Sequence, residues 1–582
     1  MKTTWMFIAG VALCAFAAAA KPQITEKTGV RTLAAVSETA TLARGSVFAI
    51  TGKDLAPVDA AKAEVPYPQD LGGVSVALTT ADGSATVQAF VISTAADRIV
   101  AIVPSSTPSG DYKVAVTFNG EASDGVAVKV ADRNFGLITN TGKPSGMVQA
   151  RVRPAEGDPV NVTYIAPARA AQTLEMDATG LGPIEGADNE LPAEMNMVEG
   201  AVLMIGGQEV PVAYLGRNSQ RPGYDRLLAT LPESGLPAGC AVEFRVRIGE
   251  VVSAPATIPT VAGDKTICDH PMGISPSGLE ILSGGGSVVL GSFVVTQQSV
   301  SMTVEGFSLD TKTENAGGQF TRYDAKALAE WMTQSGTEGF VLNPNGCSIF
   351  TALDTSVAIA TTALDAGDKL KLTGPDNLNK DVPRDPKTNS YNVTLGSGTG
   401  LPSIPGLPSI PGLPGAGSSS AMKKGAFALT GTGGVDVGAF TANQNVSDSI
   451  AWTNKDAITA VNRASDLTVT WSGGGADDLV ELVGLSRGKA PEDENKTVNR
   501  IFICFAPASA AKIVVPSSIL KQMPAAENTA TPSGDGNVST LALQQTNSPT
   551  AGRFQAPLVA GGQTEPSVFT FVYGFMKMVP YR

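Results

Sequence analysis

The only histidine in the 582-residue chain is His270, which lies two residues after Cys268 in the segment TICDHPMG. A Ser-His-Asp triad would have to use this imidazole as its base, but no G-x-S-x-G segment presents a serine nucleophile. Cys268 and His270 could instead form a thiolate–imidazole pair. A disulfide competes with that chemistry in an oxidising compartment. We therefore expect a structural or solvated role for His270.

The cysteines predict disulfides rather than a metal site. Cys14 lies inside a predicted export signal, after a leucine where lipoprotein processing requires a small residue, and the other four are Cys240, Cys268, Cys347 and Cys504. An even number in an exported chain favours two disulfides, and three pairings are possible. Cys240–Cys268 is preferred because the two residues are close in sequence and straddle a domain junction, which leaves Cys347–Cys504. With no C-x-x-C pair and one histidine, zinc is a poor hypothesis.

The other polar segments of the sequence predict no catalytic, cofactor-binding or metal-binding residue. Residues 375–389 (PDNLNKDVPRDPKTN) offer oxygen ligands for calcium but lack EF-hand spacing, and Asp and Asn are common in turns. The glycine-rich segment 431–440 fits no phosphate loop and predicts tight turns. Residues 491–496 (PEDENK) indicate a solvated loop. A glycosidase would need only two suitably spaced carboxylates, but no cluster singles out such a pair.

Aromatic side chains are the candidates for stacking on sugar rings, and they are Trp331, Trp452, Trp471 and Tyr573. Trp471 continues the alternation of LTVTW, which favours a core position. Trp452, in SIAWTNKD, is predicted near the end of a strand, where either role is open. Loops at the ends of sandwich domains could also present a recognition surface.

A repeated phrase indicates how the chain is built. Residues 97–104 (DRIVAIVP) and 225–232 (DRLLATLP) are 128 positions apart, as are Gly52 and Gly180. Each phrase is followed by a turn and a strand that alternates apolar and polar residues, which is typical of an antiparallel strand with one buried face. The repeat length fits one sandwich domain, so we expect two tandem Ig-like β-sandwiches. The paired Asp and Arg are predicted to form a surface salt bridge.

The rest of the chain is predicted to be β-rich with one short helix. The predicted domains are residues 21–133, 134–263 and 264–582, the last interrupted by a Pro/Gly/Ser-rich tether at 396–420. Its LPSIPG repeats favour an extended spacer, and a peptide ligand for an aromatic groove is the alternative. The helix is expected in 321–336, where Leu328 and Trp331 share a face. The predicted fold class is therefore mainly β: tandem Ig-like sandwiches followed by a larger β-rich domain.

The N-terminus and composition suggest an exported protein. Residues 1–20 (MKTTWMFIAGVALCAFAAAA) combine a basic start, an apolar stretch and an A-x-A site before Lys21, which is typical of a secretory signal peptide. No later apolar stretch is long enough to span a bilayer. The net charge of −12 disfavours nucleic acid as a partner. An extracellular, cell-surface or periplasmic location is expected.

Several segments resemble a family of secreted acidobacterial proteins with paired Ig-like domains of the IPT/TIG type, often called Solibacter-type. They include GSVFAITGKDLAP, DYKVAVTFNGEAS and GYDRLLATLP in the two repeats, TICDHPMGIS at the junction, and IAWTNKDAITAVNRASDLTVTWSGG in the C-terminal region. The resemblance covers most of residues 45–520 and implies the sandwich fold and export. The family has no established activity, so the resemblance leaves the ligand open.

The sequence therefore predicts an exported, non-catalytic cell-surface or extracellular protein that binds or adheres to polysaccharide, matrix or another surface protein, without a cofactor. A structural scaffold or spacer with no ligand of its own is the first alternative. An unrecognised hydrolase is the second.

Overall fold

The computed structural model describes residues 21–26, 29–36, 40–144, 146–193, 195–206, 208–270, 272–304, 307–334, 346–351, 361–399, 420–491, 493–527, 539–548 and 551–582. The predicted signal peptide lies outside these residues. Strands dominate the described chain, which confirms the mainly β fold class. None of the described helices is long and apolar enough to cross a membrane.

The first sandwich, residues 23–131, packs two sheets around a core that includes Phe48, Ile50 and Val114. Its strands are β1 (Gln23–Ile24), β2 (Val30–Thr32), β3 (Thr41–Ala43), β4 (Val47–Lys53), β5 (Ala61–Lys62), β6 (Asp70–Leu71), β7 (Val74–Thr80), β8 (Thr86–Gln88), β9 (Phe90–Ala95), β10 (Arg98–Ile102), β11 (Gly110–Phe118), β12 (Glu121–Ala122) and β13 (Val126–Ala131). One sheet has the order β1-β4-β10-β9-β5, and the other has the order β3-β13-β11-β7-β6. The alternation of buried and exposed residues along β11 places every second side chain in the core.

The second sandwich, residues 136–260, repeats this plan around Leu174, Leu227 and Phe244. Its strands are β14 (Gly136–Leu137), β15 (Ala150–Arg153), β16 (Val160–Asn161), β17 (Thr173–Thr179), β18 (Val202–Ile205), β19 (Gln208–Arg217), β20 (Asp225–Thr230), β21 (Gly239–Ile248), β22 (Val251–Val252) and β23 (Ala256–Thr260). Its strands connect in the order β16-β15-β17-β20-β19-β18-β21-β22. Strand β19 joins the two layers, because its first half pairs with β18 and its second half with β20.

The duplication extends to side-chain contacts. In the first sandwich, the hydroxyl of Ser123 accepts a hydrogen bond from Val116 N (3.0 Å) and donates to Asp124 O. In the second, Ser253 makes the same pair of bonds with Val246 N (3.0 Å) and Ala254 O. Both serines follow the hairpin after the long strand. The two repeats therefore share a local device that closes the same hairpin.

The C-terminal region is built on one long sheet. Its elements are α1 (Pro276–Ser283), β24 (Ser287–Val304), β25 (Phe307–Asp324), α2 (Ala325–Gln334), β26 (Cys347–Thr351), β27 (Thr362–Leu364), β28 (Lys369–Gly374), β29 (Leu378–Pro383), β30 (Tyr391–Thr399), β31 (Gly425–Gly431), β32 (Phe440–Val446), β33 (Ala451–Trp452), β34 (Leu467–Ser472), β35 (Leu479–Ala490), β36 (Asp493–Pro507), a 3-10 turn (Ala508–Ala510), β37 (Lys512–Val515), α3 (Ser517–Leu520), β38 (Thr540–Thr546), β39 (Arg553–Phe554) and β40 (Ser567–Met578). The long sheet has the order β26-β36-β35-β38-β40-β24-β25-β27.

Two smaller sheets pack against this long sheet and create two cores. The sheet β29-β28-β31-β32 belongs to a core rich in phenylalanine, including Phe293, Phe320 and Phe440. The sheet β33-β34-β37 belongs to a second core that includes Trp471 and Phe502. The long sheet contributes residues to both cores, so the two halves of the region share one continuous β-layer.

The helices differ from the sequence expectation. The predicted helix 321–336 begins only at Ala325, because the preceding residues extend β25 and Asp324 caps the helix by accepting from Ala327 N (2.7 Å). Leu328 is buried as predicted, and the Trp331 side chain lies outside the described residues. Helix α1 was not predicted. Ser275 is its N-cap and Pro276 is in its first turn, which is a common signal for the start of a helix. The helix has only eight residues, so its apolar periodicity is too short to be recognised in the sequence.

The predicted tether 396–420 needs correction at its ends. Residues 396–399 belong to β30, whose last residue Thr399 pairs with Thr311 of β25. Residues 400–419 lie outside the described residues. The chain resumes at Ser420 and Ala421, where Ala421 N donates to the buried carboxylate of Glu314, also on β25 (2.6 Å). Both flanks therefore contact the same strand, about 10 Å apart along it, rather than two separate bodies.

Candidate functional site

The repeated Asp-Arg phrase occupies different environments in the two sandwiches. Asp97 and Arg98 are exposed, whereas Asp225 is fully buried and its carboxylate contacts the guanidinium of Arg217 at 2.6 Å. Asp225 also accepts from Leu181 N (2.9 Å). Burial raises the pKa of the Asp225 carboxyl, and the Arg217 charge opposes that shift. The expected surface salt bridge within the phrase is therefore wrong for the second repeat, where Asp225 is part of a buried network.

This network lies where the two sandwiches meet. Asp188 of the second sandwich accepts from the backbone N (2.5 Å) and the hydroxyl (2.7 Å) of Ser105 in the first. Gly45 of the first sandwich has a φ of +68°, and a Cβ atom there would lie 2.5 Å from the Arg217 guanidinium. Thr179 accepts from Val47 N across the junction (3.1 Å). Buried, directional contacts of this kind fix the angle between the sandwiches.

Apolar side chains complete the same junction. Val47 and Ile102 of the first sandwich form one cluster with Ile138 and Tyr224 of the second. Gly223 packs so closely on Val47 and Ile102 that a Cβ atom there would lie 2.8 Å from the Ile102 side chain. Because apolar and polar contacts are combined, the two sandwiches behave as one packed unit rather than as domains on a flexible hinge.

A disulfide joins the second sandwich to the C-terminal region, beside a helix cap that is internal to that region. Cys240 and Cys268 are bonded, as preferred from the sequence. A few residues later, the α1 N-cap Ser275 donates its backbone N to the Glu565 carboxylate (2.7 Å), which comes from the other end of the chain. Cys240, Cys268 and Leu279 belong to one apolar cluster. The junction is therefore held by a covalent bond and by apolar packing.

The second disulfide is internal to the C-terminal region. Cys347 of the edge strand β26 is bonded to Cys504 of β36, and the two residues are direct partners in the strand register. Their sequence separation is 157 residues. The bond closes about half of the C-terminal region into a covalent loop.

His270 is buried beside the first disulfide. It is 6% exposed, the Tyr164 ring lies edge-on to it at 5.6 Å, and its Nδ1 accepts weakly from Met272 N (3.3 Å). Its Nε2 is buried without a hydrogen-bond partner in the described part of the chain. Burial lowers the pKa of His270 to about 4. A neutral, enclosed imidazole of this kind is structural, and it is not positioned to act as a base.

Acid is expected to destabilise the protein through His270. Its pKa is about 4 when folded and 6.5 in the unfolded chain, so between these values only the unfolded state binds the proton. The free energy of unfolding should therefore fall by about 3 kcal/mol as pH drops from 6.5 to 4. His270→Phe keeps a ring against Tyr164 and should remove this part of the pH dependence in urea titrations. An unchanged pH profile in H270F would contradict the assignment.

The proposed sugar-stacking aromatics are core residues where they are described. Trp471 is 3% exposed and donates its indole N–H to Ala508 O (2.9 Å). Trp452 is 8% exposed, pairs with Trp471 across β33 and β34, and donates to Asn454 (3.1 Å). Tyr573 is 3% exposed, and burial raises its pKa to about 12. The core role favoured for Trp471 is confirmed, and these three residues cannot serve as exposed stacking platforms.

The candidate calcium segment 375–389 consists of strand β29 (Leu378–Pro383) with a turn on each side. Asp376 and Asn377 have positive φ and join β28 to β29. Near its end, the Arg384 guanidinium contacts the carboxylates of Asp365 (3.1 Å) and Asp368 (3.2 Å), which places a cation where a metal would compete. Among the described residues, no group of three or more His, Cys, Asp or Glu side chains could hold a metal ion.

The glycine-rich segment 431–440 also serves packing. Val437 N donates to Asp365 O (3.0 Å), and a Cβ on Gly434 would lie 2.3 Å from the Asp365 carboxylate. The segment therefore interlocks with the loop that holds Asp365, in agreement with its interpretation as tight turns. Of the acidic segment 491–496, residue 492 lies outside the described residues and 493–496 begin β36.

No protein-family model and no curated protein matches the chain. Solved structures to which it is similar include domains 5–6 of the S-layer protein SbsC (11% identity, TM-score 0.18, 41% of this chain and 99% of that one). A second is a mutant of Salmonella alpha-2-macroglobulin (10% identity, TM-score 0.12, 96% of this chain and 28% of that one). A third is immunoglobulin domains 1–4 of Sidekick-1 (8% identity, TM-score 0.10, 95% of this chain and 100% of that one). The chain thus spans about a quarter of the alpha-2-macroglobulin. Likenesses at these values carry no argument about function.

A carboxylate that the sequence did not single out is Glu481 on β35. Its neighbours across the long sheet are Phe505 and Gln544, on the face opposite to the buried Val480 and Leu482. Among the described residues it has no hydrogen-bonding or ionic partner, and burial raises its pKa to about 7. The alternation along β35 predicts which face of the sheet carries Glu481. It does not predict that this side chain is shielded from water.

Glu481 is expected to cost stability at neutral and alkaline pH. The unfolded carboxyl ionises near 4.5 and the folded one near 7, so the free energy of unfolding falls as pH rises through that window. Glu481→Gln should raise the free energy of unfolding by about 2 kcal/mol at pH 8 and leave it nearly unchanged at pH 4. Urea midpoints at both pH values measure this, with the exposed Glu121→Gln as the control. Equal effects of both substitutions at pH 8 would contradict the prediction.

Proposed function

We propose that the protein is an exported, non-catalytic component of the cell surface or extracellular space that adheres to polysaccharide, matrix or another surface protein. The observation that carries the proposal is the way consecutive β-sandwich units are joined. Buried hydrogen bonds and apolar contacts join the first two, and a disulfide within an apolar cluster joins the second to the C-terminal region. Units joined in this way keep a fixed relative arrangement, which suits a protein that presents a binding surface for adhesion.

Export is part of the same proposal. Two disulfides are typical of chains that fold in an oxidising compartment. The N-terminal segment has the composition of a secretory signal. The resemblance to Solibacter-type secreted proteins with IPT/TIG-like domains supports this location. Fractionation of the native producing cells should recover the chain outside the cytoplasm, and a cytoplasmic chain with free thiols would overturn the proposal.

Adhesion is tested with the purified full-length protein. Retention on immobilised polysaccharides and on surface material from the producing organism should exceed that of a reduced, unfolded sample of the same chain. Equal retention of folded and unfolded protein, or no retention on any of these materials, would overturn adhesion.

A scaffold without its own ligand is the second candidate, and one observation favours it. Every Trp, Tyr and Phe whose side chain is described is buried or half-buried, so this part of the chain has no exposed aromatic platform for sugars. A scaffold predicts correct surface location without retention on any polymer. A hydrolase would instead require turnover that survives purification and disappears when one carboxylate is replaced.

A further inference from the structure

Four arginines occupy one outer face of the second sandwich. Arg151 and Arg153 lie on β15, Arg226 lies on β20, and Arg221 precedes β20 in the chain. Between them, β17 contributes Glu175 and Asp177, which are direct strand partners of Arg151 and Arg226 respectively. These six residues are called the arginine surface. Because β17 lies between β15 and β20, the two arginine-bearing strands are about 10 Å apart and the carboxylates of β17 lie between them.

The carboxylates of the arginine surface lie beneath its guanidinium groups. The Asp177 side chain is 2% exposed and contacts Arg151 (2.8 Å) and Arg221 (2.9 Å). The Glu175 side chain is 12% exposed. By contrast, the side chains of Arg151, Arg153 and Arg221 are 26%, 46% and 38% exposed. The solvent-accessible part of this surface is therefore mainly positive, because the guanidinium groups cover the carboxylates with which they pair.

The arginine surface also has more positive than negative charge. Four arginines face two carboxylates, whereas the net charge of the whole chain is −12. On the other layer of the same sandwich, Arg245 pairs with Glu243 (2.7 Å) and Arg247 with Glu209 (2.6 Å), one to one. That balanced set provides a natural comparison within the same fold unit.

Aromatic rings hold two of the guanidinium groups in place. The Arg221 guanidinium carbon lies 3.7 Å from the centre of the Tyr224 ring, and that of Arg226 lies 5.0 Å from the Tyr214 ring. Stacked guanidiniums lose little freedom on binding and keep their N–H edges available. Burial raises the pKa of Tyr224, and the charges of Arg221 and, to a smaller extent, Arg98 of the first sandwich oppose that shift.

We propose that the arginine surface binds the carboxylate or sulfate groups of an acidic polysaccharide. This inference rests on the proposed adhesive function and names its ligand class. Arginine recognises such oxyanions through paired N–H donors. A polymer with about one acidic group per sugar suits guanidiniums that strand geometry spaces about 7 Å apart along β15 and about 10 Å apart across β17. Ionic contacts between these arginines and the acidic groups of the polysaccharide would allow the protein to bind a sugar polymer without exposed aromatic side chains.

A dense polyanion fits less well than a polysaccharide. Duplex DNA carries one charge per about 1.7 Å, so a small positive array on an acidic protein would meet strong repulsion around it. The turn between β15 and β16 contains exposed Glu156 and Asp158, which bound the array on one side. The surface therefore selects a ligand of moderate charge density that follows the sheet.

The experiment compares variants of the full chain for binding to polygalacturonate and dextran sulfate, with neutral dextran, duplex DNA and polyglutamate as comparison polymers. Arg153→Gln with Arg226→Gln should weaken binding to the acidic polysaccharides by about tenfold at low salt. Arg245→Gln with Arg247→Gln is the matched control and should change it less than twofold. Arg153→Lys keeps the charge but loses the paired N–H donors, so it should weaken binding, though less than Arg153→Gln does. Thermal unfolding confirms that each variant folds.

The outcomes separate the ligand class from adhesion itself. Polysaccharide binding that is unaffected by R153Q/R226Q, equally reduced by R245Q/R247Q, or equally strong for neutral dextran would overturn the arginine surface and leave adhesion standing. Tighter binding of DNA or polyglutamate would overturn the ligand class. Failure to bind any polymer or surface material would overturn both proposals. Loss of acidic-polysaccharide binding in R153Q/R226Q alone supports the inference.

Discussion

Replacing Asp225 with alanine is expected to lower the free energy of unfolding by about 3–5 kcal/mol, because it leaves the Arg217 guanidinium buried without its counter-charge. Arg217 is 1% exposed, and its ionic partner in the junction is Asp225 at 2.6 Å. Solvation cannot replace that carboxylate without opening the contact between the two sandwiches. Urea unfolding followed by near-UV circular dichroism measures the change.

The duplication supplies a matched control. Asp97 holds the equivalent place in the first repeat but is exposed, so Asp97→Ala should change stability by less than about 0.5 kcal/mol. Replacing both buried partners, as in R217M/D225L, should recover much of the loss because no unpaired charge remains. If D225A and D97A were equally mild, the buried pair would not be a source of junction stability.

Removing the Cys347–Cys504 disulfide is expected to have the largest effect on stability. The bond closes 157 residues, and the loss of chain entropy in the unfolded state corresponds to about 5 kcal/mol for a loop of that length. The double substitution C347S/C504S should therefore shift the denaturation midpoint strongly. Denaturant titration of the oxidised wild-type and the variant gives the difference.

The other disulfide gives a graded comparison. Cys240–Cys268 closes only 28 residues, for which the same relation gives about 3.5 kcal/mol. C240S/C268S should therefore be less destabilising than C347S/C504S, and its effect should concentrate at the junction next to His270. The reverse order of the two variants would show that local packing, rather than loop length, dominates.

The fold was largely predictable because strand patterning is a local signal. Alternation in residues 110–118 and 239–248 placed two equivalent strands, and the 128-residue offset placed two similar sandwiches. The preferred cysteine pairing also forms. The different fates of Asp97 and Asp225 were not predictable, because identical local sequence cannot show which copy faces a neighbouring sandwich. Helix α1 was missed since eight residues give little periodicity.

The candidate site was predicted less well than the fold. Trp471 followed its strand alternation into the core, but Trp452 lies at a strand end where alternation gives no answer, and its partner strand decided its burial. The arginine surface left one local trace, the alternation of Arg151 and Arg153. Its carboxylates come from another strand, and Arg221 joins them only through the fold.

The shared attachment of both ends of the 400–419 segment to β25 has an evolutionary and practical consequence. The flanking contacts at Thr311 and Glu314 are independent of how many residues lie between them. For a chain segment whose two ends are fixed, each doubling of its length adds only about 0.6 kcal/mol of closure entropy. The number of LPSIPG copies can therefore drift between lineages at little cost to the surrounding sandwich, and an epitope tag inserted there should leave the protein folded.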